Sequence, residues 1–233
     1  MGTEYYRQIG WIGLFAVAMG YMESAVVVYL RAIYYPDGFC FPLKTLDPAI
    51  GLTELIREAA TMVMLFGVAL IAVKKAIIRF AFFIFAFAVW DICYYLFLWL
   101  LIGWPSSLLE WDILFLIPVT WVGPVLAPVI NSLTMICLAV LILVAGARPG
   151  HARLSGWEWI LLIGGSLITI GAYVSDYLAF SMKTGGPWIT AGVTADYIPH
   201  HFNWFLFAAG EALFFIALYL FWKRELKRVT RDK

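Results

Sequence analysis

Six residues of this chain bring acid or amide chemistry into apolar sequence: Glu23, Glu58, Asp91, Asn131, Asp176 and Glu211. Five are carboxylic acids, which exchange protons, accept hydrogen bonds or ligate cations. An ionisable side chain within a bilayer costs roughly 2.5–3.5 kcal/mol on insertion scales, so it faces a protein interior and has a partner or a task. Residues that could complete a site stand nearby in the sequence: Arg57, the phenols of Tyr94 and Tyr95, Trp204, and the pair His200-His201. Carboxylates beside phenols and imidazoles can pass protons, and carboxylates beside a histidine pair can hold a metal ion. Arg57 is the one base at the level of these acids. A low-dielectric cavity with that imbalance attracts cations or keeps some carboxyls protonated.

The elements that must position these groups follow from composition. The chain is 64% hydrophobic and 13% charged, with a mean hydropathy of +0.89. A soluble domain of 233 residues has no core large enough to hide so much apolar surface. The remaining solvent is lipid, which a helix crosses with ~20 apolar residues. The expected fold is all-α, a polytopic membrane bundle of six transmembrane helices forming one integral membrane domain over 1–233. Spans are expected near 9–30, 54–73, 77–101, 125–146, 157–180 and 202–222, with Trp and Tyr marking their ends (Trp11, Tyr34, Tyr35, Trp104, Trp157, Trp159, Trp188, Trp222).

Charge sets the orientation. With six spans, all but four of the 16 Lys and Arg residues fall on the side of the termini and of the loops near 74–76 and 147–156. The exceptions are Arg31, Lys44, Arg57 and Lys183. Positive charge concentrates on the cytoplasmic side, so both termini are expected there. Short loops and compact length suggest a cell inner (plasma) membrane. At 1.5 Å per residue all six polar positions then lie between the outer surface and the membrane midplane.

The segment 112–147 is too long for one straight helix, roughly 54 Å against a ~30 Å hydrocarbon core. Pro118, Pro124 and Pro128 interrupt it. The reading is a short half-helix over Ile113–Val119, a break, and then the fourth span; a surface helix bending at proline is the alternative. Backbone that is irregular at membrane depth must be buried in protein or line a cavity.

Helical phase turns the acids inward. Gly13, Ala16, Gly20 and Glu23 share one stripe, and Gly165, Thr169, Ala172 and Asp176 share another. Small residues mark faces where helices approach closely in lipid. Asp91 shares its face with Ala88, Tyr94 and Tyr95. If a helix starts at Pro199, His200, Trp204, Phe207 and Glu211 fall on one line.

Three function classes meet these constraints. The first is a small carrier or channel whose outward-facing acidic cavity takes a cation or a proton-coupled solute. The second is an intramembrane enzyme with an acid and histidine site at the outer leaflet, although neither HExxH nor GxSxG occurs. The third is an accessory or anchoring subunit of a larger membrane complex; separately, a homo-oligomer is compatible with the sequence. No cofactor is expected. A metal ion on His200 and His201 is compatible with the residues, whereas haem is disfavoured because no two histidines lie on different helices at one depth. Cys40, Cys93 and Cys137 show no paired spacing, and a net charge of +1 suggests no nucleic-acid partner. The partners expected are the bilayer and a small solute or cation. Topology is checked by reporter fusions after Lys183 and after Lys233, which are expected to report opposite sides; the same side for both would refute six spans.

Overall fold

The computed structural model describes residues 2–147, 153–184 and 197–231. Six helices are long and apolar enough to cross a membrane, and the chain is a multi-pass membrane protein. In order the elements are α1 (Gly2–Tyr34), α2 (Pro48–Ala72), α3 (Ala76–Ile102), β1 (Trp111–Phe115), β2 (Trp121–Pro124), α4 (Leu126–Gly146), α5 (Gly156–Thr184) and α6 (Trp204–Arg231).

Local chemistry explains the boundaries. The Asp47 carboxylate accepts from the Ala49 N–H at 2.9 Å and Pro48 fills the first helical position, so α2 starts six residues before the span expected from hydropathy. Ser155 and Glu158 form a reciprocal cap on α5: the Ser155 N–H donates to the Glu158 carboxylate at 2.8 Å, and the Glu158 N–H to the Ser155 hydroxyl at 3.3 Å. Gly103, at φ 68°, ends α3 in the left-handed region. At α6 the Asn203 amide oxygen accepts from the Leu206 N–H at 3.0 Å, which sets the helix start at Trp204 rather than Pro199.

The half-helix expected over Ile113–Val119 is not formed, nor is a bent surface helix. Trp111–Phe115 instead pairs antiparallel with Trp121–Pro124, with Asp112 opposite Gly123 and Ile113 opposite Val122. Aromatic and β-branched residues favour this pleated arrangement, and Pro118 sits in the turn where no ladder donor is needed. The register shifts between Ile113 and Phe115, leaving Leu114 as an extra bulge residue.

This hairpin is tucked into the bundle. The Phe115 ring packs against Trp90 at 6.4 Å, and Trp121 stacks on Tyr173 at 6.0 Å with planes 17° apart. Trp90 and Tyr173 stand about three turns inside Ile102 and Thr184, the nearer helix ends. Gly123 permits the approach, because a Cβ there would lie 3.0 Å from the Phe202 ring and 3.1 Å from the Tyr173 ring. We call this the hairpin end of the bundle and the opposite one the basic end.

Around the hairpin, α3 packs against α1, α2 and α4, while α5 and α6 form a tight pair joined to the rest chiefly through α4 and β2. The small-residue stripes are packing faces. Gly20 lies against the backbone of Trp90 and Tyr94 on α3, and Gly165 against Gly210 and Phe214 on α6. Toward the basic end a dry core forms from Leu65, Phe82, Ile142 and Phe221, all fully buried. A Cβ at Gly20 would sit 2.8 Å from that of Cys93, whereas one at Gly67 would meet open space. Gly20→Val is therefore expected to cost about 1–3 kcal/mol by overpacking, read as a lower thermal midpoint in detergent, with Gly67→Val as the comparison that changes far less.

Candidate functional site

Three cavities begin near the hairpin, the third reaching Phe80 and Leu162 toward the basic end, and several of the expected site residues border them. The first, of about 130 Å³, is walled by Arg31, Tyr34, Tyr35, Lys44, Glu54 and Asp112 among others. Arg31 is buried, its guanidinium 3.7 Å over the Trp104 ring and 4.4 Å over Phe39. It reaches Asp112 at 3.5 Å. Stacking plus one long ion pair holds a charge that water no longer solvates.

The second cavity shares Arg57, Glu58 and Tyr94 with the first and adds Glu23, Thr61, Asp91 and Tyr95. Its volume of about 60 Å³ is room for one or two waters. Arg57 binds the Glu54 carboxylate at 2.7 Å and also pairs with Glu23. Glu58 does not pair with Arg57. It accepts the Leu116 N–H of the hairpin turn, at 2.9 Å to Oε2 and 3.2 Å to Oε1.

The third cavity is a chamber of about 460 Å³. Phe80, Phe83 and Phe87 of α3, Phe115 and Trp121 of the hairpin, and Leu138, Leu162 and Phe214 make it largely apolar. At its hairpin end lies a hydrogen-bonded set. Ser132 donates to Asp91 Oδ2 at 2.8 Å, Thr134 to Glu211 at 2.8 Å, and Tyr173 to the Asn131 Oδ1 at 2.5 Å; the Asn131 amide also donates to Glu211. Asp91, Leu114 and Phe115 border both this chamber and the small polar cavity.

Of the residues expected to converge, Glu23, Glu58 and Asp91 share one cavity, Asn131 and Asp91 share the next, and Glu211 is tied to that chamber through Asn131 and Thr134. Asp176 is apart. It accepts from the Tyr197 hydroxyl at 2.7 Å and the His200 N–H at 3.2 Å and borders none of the three cavities. His200 and His201 are exposed. Because α6 begins at Trp204, the line from His200 to Glu211 does not exist; Phe207 and Glu211 stay on one buried face, while Trp204 is 39% exposed. Among the described residues no three His, Cys, Asp or Glu side chains stand together to hold a metal ion. Trp188, read as marking a span end, lies outside the described residues.

Sequence reasoning missed Ser132, Thr134 and Tyr173. The cluster Asn131-Ser132-x-Thr134 at the start of an otherwise apolar span is the signal that could have flagged them. Arg31, counted on the outer side by charge, and Asp112 of the hairpin are both buried.

Comparison with family models, curated proteins and solved structures finds no match, so the function is read from geometry alone.

Asp112 gives a test of this electrostatics. Burial raises its carboxyl to about 6, opposed by Arg31 and by hydrogen bonds from Ile113, Tyr95 and Tyr94. An unfolded Asp titrates near about 3.9. Folding is then favoured with Asp112 protonated, and stability falls as pH rises from about 4 to about 6, by roughly 3 kcal/mol from this group. Thermal unfolding in detergent across that range should decline less steeply in Asp112→Asn. Equal slopes would contradict a buried, solvent-deprived Asp112.

Proposed function

We infer that this protein is a small outward-facing membrane carrier that binds one solute in the 460 Å³ chamber and exchanges it against a proton at Asp91. The observation that carries the reading is the position of Asp91 between two environments. One side is a polar cavity able to hold water, and the other is the largely apolar chamber. The hairpin end is taken as the outer side, with both termini cytoplasmic, on the distribution of basic residues.

Cation transport fits less well than proton-coupled solute transport. Glu23 and Glu54 already hold Arg57, Glu58 holds a backbone N–H, and among the described residues Asp91 is the one carboxylate bordering the chamber. The accessory-subunit reading also weakens. In an accessory subunit such acids would pair with basic groups of a partner, and Glu23, Glu58, Asp91, Asp176 and Glu211 all have partners within the chain. An intramembrane enzyme is the second reading, favoured by the Asn131, Thr134 and Tyr173 bonds that hold a second carboxyl, Glu211, beside the same chamber.

The coupling follows from elementary chemistry. Ionised, Asp91 accepts a hydrogen bond from a solute; protonated, it loses acceptor capacity and gains a hydrogen of its own. Proton and solute therefore compete. The field at Asp91 is set by Glu23 on α1, Arg57 and Glu58 on α2, and Asp112 on β1. Tyr94 and Tyr95 lie on its own helix, Tyr173 on α5 and Glu211 on α6.

The test begins with purification at pH 8 and pH 5, organic extraction and mass spectrometry. The wild type is expected to retain a bound solute at pH 8 and shed it at pH 5, and Asp91→Asn to retain the same amount at both. In vesicles, the recovered solute should then drive a proton flux at least tenfold greater in the wild type than in Asp91→Asn, as expected when an essential proton carrier is removed. Equal fluxes would end the role assigned to Asp91.

A further inference from the structure

We propose that the solute is an uncharged, hydroxyl-headed lipophile, chemically a long-chain or isoprenoid alcohol, which reaches the chamber sideways from the bilayer between α3 and α5. This rests on the reading of the chamber as the binding site and names what it binds.

The side opening follows from how the helices pack. α3 packs with α1, α2 and α4, and α5 with α6, but α3 and α5 are not packed against each other along their length. They are bridged at two levels. Toward the basic end Phe80 meets Trp159 with ring centroids 5.0 Å apart. Toward the hairpin end, Phe115 on Trp90 and Trp121 on Tyr173 close the gap. Between these bridges the chamber is lined by half-buried Phe83 and Phe87 of α3 and by Ser166 and Ile170 of α5. Ser166 is exposed, and its hydroxyl is already spent on the Leu162 carbonyl at 2.8 Å, so lipid outside costs it nothing. The window therefore opens at mid-helix, where the solvent is hydrocarbon.

The head group follows from the polar end. Among the described residues no Lys, Arg or His borders the chamber, so a phosphate would be buried without a counter-charge. Ser132 donates to Asp91 Oδ2, and Oδ1 is open to a donor from the solute. A hydroxyl supplies one hydrogen, whereas an ammonium would bury additional N–H groups without acceptors. The tail meets a wall rich in aromatic rings, which suits an unsaturated chain by edge and face contacts.

The experiment uses the full chain in nanodiscs with radiolabelled farnesol, competed by farnesyl phosphate, farnesylamine and the hydrocarbon farnesene. Farnesol is expected to bind saturably, with each competitor at least tenfold weaker and with Asp91→Asn weakening farnesol severalfold, as expected for loss of a charge-assisted hydrogen bond. Ser166→Trp, which fills the window, should abolish or strongly slow binding, while Leu220→Trp on the lipid face should not. As a check independent of that variant's folding, Ser166→Cys in a background lacking Cys40, Cys93 and Cys137 should react with a lipid-soluble maleimide, and farnesol should protect it. Farnesyl phosphate or farnesylamine binding as tightly as farnesol overturns the head-group assignment, and neither block nor protection at position 166 overturns the sideways route. If no lipophile binds while a water-soluble solute still drives Asp91-dependent proton flux, this inference fails and the carrier reading stands. If lipophile binds without any proton flux, the carrier reading fails instead.

Discussion

Backbone polarity in a low-dielectric interior is the constraint on which the rest of the site depends. A β-hairpin folded among transmembrane helices brings N–H and C=O groups into a low-dielectric interior, and each one left unpaired costs several kcal/mol. Strand pairing satisfies part of the hairpin, and the Leu116 N–H is satisfied by Glu58. A carboxylate about ten residues along α2 then has a structural reason to exist before any functional one. The same holds for Asp112, which the hairpin carries inward and which in turn requires Arg31.

Once the hairpin is in place, charge neutrality organises its surroundings. Arg57 answers both Glu23 on α1 and Glu54 on its own helix, fastening two helices that otherwise have little mutual contact. Asp91 and Glu211 are handled differently, by hydroxyl and amide donors from α4. Neutral donors stabilise an ionised carboxylate less than a cation does and leave it freer to change protonation state. That difference, rather than the number of acids, separates carboxylates fastened by a cation from those held by neutral donors.

Much of the helical architecture was legible because lipid imposes long apolar runs that irregular structure cannot imitate. Helix starts at Asp47-Pro48 and at Ser155 with Glu158 carry explicit capping signals, and the glycine stripes identify the faces of α1 and α5 that pack closely. The hairpin was not legible. Short runs such as Trp111–Phe115 are equally apolar as helix or strand, and Pro118 marks a break without saying what flanks it. Misreading that segment moved the site residues. Asp112 and Arg31 were left out of the site, Asp176 was given to a shared cavity although Tyr197 claims it, and His200 was put on a helix that Asn203 starts later. Tertiary partners of this kind come from distant sequence and leave no local trace.

The dry core of Leu65, Phe82, Ile142 and Phe221 has an electrical meaning. A transmembrane voltage falls across insulating material, about 2.3 kcal/mol per elementary charge at 100 mV over the whole thickness. Where the two polar cavities fill with water, little of that drop lies between them and Asp91, and most of it falls across the apolar half below. A proton reaching Asp91 from the hairpin end would then feel little of the membrane potential, while any charge leaving toward the basic end would cross nearly all of it. The bundle is thus an asymmetric capacitor, and Asp91 sits close to one of its plates.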